Sequence, residues 1–230
     1  GPISIALTFP PIFFWGLRFK VSIKKILKIS WLFGVLLALP WYYLMEKNSP
    51  GFTNYFLVGE HFLRFIDSSW IGDKYGFPKQ QPLGIIWAFV LLGTIPWIFP
   101  LFLKAINKYK SIWNNRWEFF LWCWFLWTPI FFTVSKSLIH TYVLPIMVPA
   151  ALLICSYWNT LRYKNFNLGF SISIPILLLM AYSFKDVREL VETKSDKNII
   201  ETSNKYSAPL YSLDYKSYSS QFYSKGLIKK

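Results

Sequence analysis

An acid, an imidazole and a guanidinium stand together in Gly59-Glu60-His61-Phe62-Leu63-Arg64-Phe65. Glu60 and Arg64 are four residues apart, the spacing at which side chains meet on a helix, and as a bare surface pair they contribute about 0.3 kcal/mol. The same residue types also suit chemistry. A guanidinium binds phosphate oxygens bidentately, and an imidazole beside it adds a second polar contact. Glu60 and His61 are two of the ligand types a divalent metal takes, although two ligands do not make a metal site. A second constellation lies in Val134–Pro145, "VSKSLIHTYVLP", where Lys136 and His140 sit as the chain re-enters an apolar run. Lys136 either snorkels toward headgroups or serves the same phosphate site. The sequence has no Gly-rich phosphate loop, no Ser–His–Asp arrangement and no cysteine cluster.

These groups must be positioned by apolar elements. The chain of 230 residues is 54% hydrophobic and 21% aromatic, with a mean hydropathy of +0.33. That composition is too poor in polar residues to coat a soluble domain. Uncharged runs of roughly the ~20 residues that cross a bilayer predict six spans, about 3–17, 29–45, 82–103, 117–134, 142–158 and 168–184. A buried core helix explains one such run but not six in succession. The first residue is Gly and a span begins almost at once, so the start of the protein is expected elsewhere.

The net charge of +14 is distributed as in a membrane protein, which excludes a nucleic-acid partner as its cause. Connectors 18–28, 104–116 and 159–167 carry Arg18, Lys20, Lys24, Lys25, Lys28, Lys104, Lys108, Lys110, Arg116, Arg162 and Lys164. Connectors 46–80 and 135–141 hold only Lys47, Arg64, Lys74, Lys79 and Lys136. The positive-inside rule then places the first set in the cytoplasm, and 46–80, 135–141 and the tail 185–230 outside. Prolines within spans (among them Pro40, Pro96, Pro129 and Pro175) are read as kinks, and Trp and Tyr near span ends as an interfacial belt. Cys123 and Cys155 are read as packing residues.

In the outer connector, Ser49-Pro50-Gly51 marks a turn, and Thr53 or Asn54 is placed to cap a short helix. At 100° per residue, Glu60, Arg64 and Asp67 share one arc with His61 at its margin, while Tyr55, Val58, Phe62, Phe65 and Ile66 fall opposite. This predicts an amphipathic helix on the membrane surface. A polar stretch, 71–82, leads back to the bilayer. In the tail, "DVRELVE" reads as helix, "APLYSL" as a short strand and "SSQFYSKG" as a helix ended by Gly226. Together these suggest the opening of a small α/β domain that the chain does not complete. The expected fold class is therefore an all-α integral membrane bundle, residues 1–184, followed by a soluble segment, 185–230.

The order of these motifs resembles the lipid-linked-sugar glycosyltransferases of the GT-C fold, in particular the bacterial lipid A aminoarabinose transferases and their protein O-mannosyltransferase-like relatives. The residues carrying the likeness are "GP" (1–2), "LPWYYLMEKNSPGFTNYFLVGEHFLRF" (39–65), "QPLGIIWAFVLLGTIPWIFPL" (81–101), "FFTVSKSLIHTYVLP" (131–145) and "APLYSLDYKSYSSQFYSKG" (208–226). His140 stands where the family usually has Pro, and Leu138 where it often has a second Lys. The resemblance covers the later part of such a protein and implies transfer of a sugar from a polyprenyl-phosphate donor to lipid A, protein or another glycan, outside the bacterial inner membrane. It implies that Arg64 and Lys136 bind the donor phosphate, that Glu60, His61 and Tyr142 position substrate or a metal, and that a catalytic Asp lies ahead of Gly1. A divalent metal held by Glu60 and His61 is the cofactor these residues allow. As an enzyme, this stretch by itself is expected to be inactive; the alternatives are a non-catalytic subunit or remnant, and a small-molecule or lipid transporter. The uncharged spans argue against a translocation pathway.

Overall fold

The computed structural model describes residues 2–22, 29–67, 70, 81–193, 195–205, 209–212 and 217–229. It is almost wholly helical: α1 (Pro2–Arg18), α2 (Ile29–Asn48), a π-helix (Asn54–Leu63) finished by one α-turn (Arg64–Ile66), α3 (Ile85–Thr94), α4 (Ile98–Asn114), α5 (Arg116–Phe132), α6 (Leu144–Tyr157), α7 (Lys164–Ser183), α8 (Lys185–Glu192), α9 (Lys197–Lys205) and α10 (Tyr218–Tyr223). The polar connector 71–80 and the cations Lys24, Lys25, Lys28, Lys74 and Lys79 lie outside the described residues. The chain divides into two compact units, Gly1–Asn167 and Leu168–Lys230.

The first unit is organised around α5, which packs against α1 on one side and α6 on another. Asn115 caps α5, its Oδ1 accepting from the Trp117 and Glu118 amides at 3.0 and 3.1 Å. Leu121 and Phe125 on α5, Ile146 and Leu153 on α6, and Ile86 on α3 form the fully buried centre. Trp127 reaches across to α1 and donates to the Ala6 carbonyl at 2.8 Å. The apolar faces left over are turned outward. On α2, Leu32, Phe33, Leu36, Leu37 and Tyr43 are all exposed. An apolar helix exposed on this scale belongs in lipid or against protein, not in water.

Among the described residues, two helical segments are long and apolar enough to cross a membrane, His140–Thr160 and Lys164–Ser183, and α3 with α4 makes a third if that bent pair is one span. They correspond to three of the six expected spans. The run 82–103 is not one straight helix: α3 and α4 meet at 103°. Pro96 explains the break, since it has no amide hydrogen to continue the ladder and its ring clashes with the preceding turn. α3 starts beside the end of α5, where the Gly84 amide donates to the Thr133 carbonyl at 3.0 Å. Trp97, just past the bend, lies 6.1 Å from Trp158 at the far end of α6. Beyond the bend α4 runs across the end of the bundle. Its Lys104 Nζ donates to Thr160 Oγ1 at 2.7 Å, and Asn114 Oδ1 accepts from Arg18 at 3.1 Å.

In the second unit, the expected helices at 185–192 and 218–223 form, and α10 ends in left-handed backbone at Lys225 and Gly226. The expected strand does not form among the described residues. Only an isolated parallel bridge joins Tyr211 to Lys229, because a single extended segment without a sheet gains no ladder. What ties α9 to α10 is instead Asp196, whose Oδ2 accepts from Ser219 and Ser220 hydroxyls at 2.6 Å each and from the Ser217 hydroxyl. These donors hold the Asp196 carboxyl at about 2, below the ordinary 3.8. A carboxyl lowered by folding stabilises fully above its unfolded value and loses that contribution as pH falls through the folded one. Amide exchange in α9 and α10, corrected for intrinsic rates, should therefore quicken as pH drops from 4 toward 2. Asp196→Asn should cost about 1 kcal/mol after solvent screening and remove that acid dependence.

Candidate functional site

At one end of the first unit, three pieces of chain meet: the π-helix with its last α-turn, the turn 81–84, and the loop 133–143. The π-helix begins differently from the expected capping. Thr53 is already helical and its side chain caps nothing. Glu46, at the end of α2, takes that role, its two carboxylate oxygens accepting from the Gly51 and Thr53 amides at 2.8 and 2.7 Å. Those amides hold the Glu46 carboxyl below its ordinary pKa. Phe52 and Phe56 stack on each other and edge onto Trp41, binding the π-helix to α2.

The π winding changes which residues face one another. Five α-helical steps leave two side chains about 140° apart at 100° per step, whereas a π-helix bonds residue i to i+5. Tyr55, expected on the lipid arc, therefore stands against Glu60 and donates its hydroxyl to Glu60 Oε1. In the same way His61 folds back over Phe56, with ring centroids 4.6 Å apart, and its Nδ1–H donates to the Phe56 carbonyl at 2.6 Å. Arg64 does meet Glu60 as expected, Nη1 to Oε2, at 2.9 Å. Glu60 is thus held from both sides, with its side chain 11% exposed and that of Arg64 22%. Val58, Phe62 and Ile66 remain exposed apolar residues, while Phe65 turns inward.

Phe65 makes the connection to the rest of the site. Its ring lies 5.0 Å from Phe131 and 6.3 Å from Phe132 at the end of α5. Tyr142 stacks on the same Phe132 at 4.9 Å. The helix carrying Arg64 and the loop carrying Lys136 therefore share one aromatic anchor. Within that loop, Ser135, Ser137 and Leu138 are buried while Lys136 and His140 are exposed. The backbone is pinned by the Gln81 amide, which donates to the Lys136 carbonyl at 2.7 Å, and by Trp87 Nε1, which donates to Thr133 Oγ1 at 3.0 Å.

Of the residues read as a site, the structure brings Glu60 and Arg64 into contact and sets Tyr142 and Lys136 on the loop joined to their helix through Phe65. It does not make a metal centre of Glu60 and His61. The Glu60 carboxylate is occupied by Tyr55 and Arg64, and His61 Nδ1 by a carbonyl. Among the described residues no three His, Cys, Asp or Glu side chains gather as ligands. Tyr55, Trp70 and Glu46 were not visible as site residues, because their partners follow from the π register and from a fold-back. The Trp70 ring lies on the backbone of buried Gly59, where an added Cβ would come within 2.6 Å of it. Gly59→Ala should therefore displace Trp70 or loosen the π-helix, a cost of about 1–3 kcal/mol. The measurement is hydrogen exchange at 54–63, which should quicken in Gly59→Ala and largely recover when Trp70→Ala is added.

The fold and this site define a membrane-helix protein with a clustered Glu–Arg pair and a loop carrying Lys136 at one bundle end. Its similarity to known proteins is more specific. It is 30% identical over 164 residues to the undecaprenyl phosphate-alpha-4-amino-4-deoxy-L-arabinose arabinosyl transferase 2 of Proteus mirabilis, a match covering 66% of this chain and 28% of that protein. It is 29% identical over 126 residues to the corresponding transferase of Photorhabdus laumondii, covering 54% of this chain and 21% of that protein. For the Yersinia pestis transferase the identity is 31% over 123 residues, with the same coverages, 54% and 21%. The chain is thus a homologue of part of these aminoarabinose transferases, and the matches span between a fifth and three tenths of their length. No family model and no solved structure matches it.

Proposed function

We propose that this chain is part of a membrane glycosyltransferase that moves a sugar from a polyprenyl-phosphate donor to a membrane acceptor at the outer face of the bacterial inner membrane. The observation that supports it most is the pairing of this homology with the joint between the Arg64 helix and the Lys136 loop. In this reading the bundle crosses the bilayer six times, the basic end made by α4 faces the cytoplasm, and the π-helix lies on the outer surface.

The chemistry follows from where charge develops. The acceptor hydroxyl attacks the anomeric carbon, the bond from that carbon to the phosphate oxygen breaks, and the polyprenyl phosphate leaves with the bonding electrons. Cations near that oxygen are worth most as the charge grows, in a site walled by lipid and aromatic rings. Arg64 is the main phosphate ligand, since a guanidinium's five donors let it keep Glu60 while meeting phosphate oxygens. Glu60, braced by Tyr55, is a positioning residue for Arg64. Exposed Lys136 adds a second charge, and Tyr142 and His61 border the sugar or acceptor. The acceptor proton passes to a base that the described residues of this site do not supply. An apolar groove of about 770 Å³ runs below the π-helix, lined by Ile5, Val35, Leu39, Tyr42 and Leu57 among others, and suits the donor's prenyl chain.

In the complete enzyme, Arg64→Ala should lower transfer of radiolabelled sugar from a polyprenyl-phosphate donor about 100-fold or more, with membrane insertion unchanged. Arg64→Lys should recover only part, since it keeps the charge without the planar fork. Full activity in Arg64→Ala would remove this residue from the site.

A further inference from the structure

The opposite end of the first unit also gathers cations, and it does so around an apolar cavity that the proposed reaction leaves unused. α1 ends there, α5 begins there, and α4 runs across it. Between α1 and α5 lies a cavity of about 370 Å³ lined by Ile12, Trp15, Arg116, Trp117 and Phe120. Trp15 Nε1 fixes its edge by donating to the Arg116 carbonyl at 3.0 Å. The Arg116 guanidinium lies 5.6 Å from the centre of the Phe19 ring, and Arg18 lies 5.4 Å from the same ring. Arg18 is further held by Asn114 and by the ring of Trp113 at 5.2 Å, and its buried Nε has no hydrogen-bond partner among the described residues. Two guanidiniums therefore flank one ring beside an apolar hole.

α4 indicates where this end lies. Ile98, Leu101 and Ile112 face the bundle, while Phe99, Phe102, Leu103, Ile106, Tyr109 and Trp113 are exposed. That second stripe recurs at three- and four-residue steps on either side of a kink at Lys108, whose backbone is not helical, and Lys104, Asn107, Lys108, Lys110, Ser111 and Asn114 are the polar residues of the helix. A helix with one face on protein, one apolar face outward and one basic polar face is built to lie in the interface between lipid and water.

We infer that the cavity beside Arg116 is a binding site for an anionic phospholipid, with the phosphate on Arg116 and Arg18 and the upper acyl chain along Trp15 and Phe120. A free anion would satisfy the guanidiniums but leave the apolar wall empty. A zwitterionic lipid would fill the wall but bring its own cation against Arg116. An anionic diester with a hydrocarbon tail meets both demands. The bound lipid would clamp the α1–α5 junction from the face opposite the Arg64 site.

The test uses the purified chain in detergent micelles, titrated with phosphatidylglycerol or phosphatidylcholine, with lipid adducts counted by native mass spectrometry. The wild-type chain should retain phosphatidylglycerol several-fold over phosphatidylcholine. Arg116→Gln should reduce that retention about fivefold, and Arg116→Lys should fall between. Lys185→Gln, in the other unit, should leave it unchanged. Raising NaCl to about 1 M should weaken the wild-type preference without any substitution, so the inference stays testable if Arg116→Gln does not insert. Equal retention of the two lipids by the wild type overturns it. So does a preference that survives both Arg116→Gln and high salt, or one that inorganic phosphate displaces as well as the lipid does.

Discussion

The first unit depends on α5. This helix carries Leu121, Trp122, Phe125, Thr128 and Phe132 into the interior, packs against α1 and α6, and presents a different chemistry at each end. Its start is polar: the Asn115 cap, Arg116, and Glu118, which accepts from the buried Tyr157 hydroxyl at 2.8 Å. Its finish is the aromatic pair Phe131 and Phe132, on which Phe65 and Tyr142 rest. Charged groups are costly in the middle of a bilayer and tolerable at its edges. A rigid apolar strut of about 25 Å therefore separates two ionic regions of the first unit.

That separation places Glu60 and Arg64 at one end of α5, on the short π-helix. The π-helix is fixed by Glu46 at its start, by Phe56 against Tyr42 and Trp41, and by Phe65 against α5. Its polar residues are thereby kept level with the loop 133–143. The π winding then lets Tyr55 brace Glu60 from behind while Arg64 holds it in front. An α-helix of the same sequence would turn Tyr55 away, leaving Glu60 with one partner.

Much of this was legible in the sequence, and the limits have physical reasons. Uncharged runs located the helices, and among the described residues of the basic connectors Arg18, Lys104 and Arg116 lie at the α4 end. The four-residue spacing of Glu60 and Arg64 correctly predicted their contact. A fixed 100° step could not show the π register, so Tyr55 was assigned to the wrong face and Thr53 to a cap that Glu46 provides. The run 82–103 was apolar throughout, and its composition did not distinguish a kink at Pro96 from a 103° turn. The cavity beside Arg116 joins residues about a hundred positions apart in sequence, a pairing that no local pattern encodes. Tyr211 reads as strand by composition but among the described residues finds only one bridging partner, Lys229.

The central claim is that the Arg64–Lys136 end and the Arg116–Lys108 end lie on opposite sides of the membrane. It is tested most directly by replacing Cys123 and Cys155 with Ala, introducing single cysteines at Asp67, Lys136 or Lys108, and labelling intact cells with a membrane-impermeant maleimide. The account predicts labelling at 67 and 136 in intact cells, and at 108 only after the membrane is opened. Labelling of 108 from outside, or of all three from one side, would contradict it.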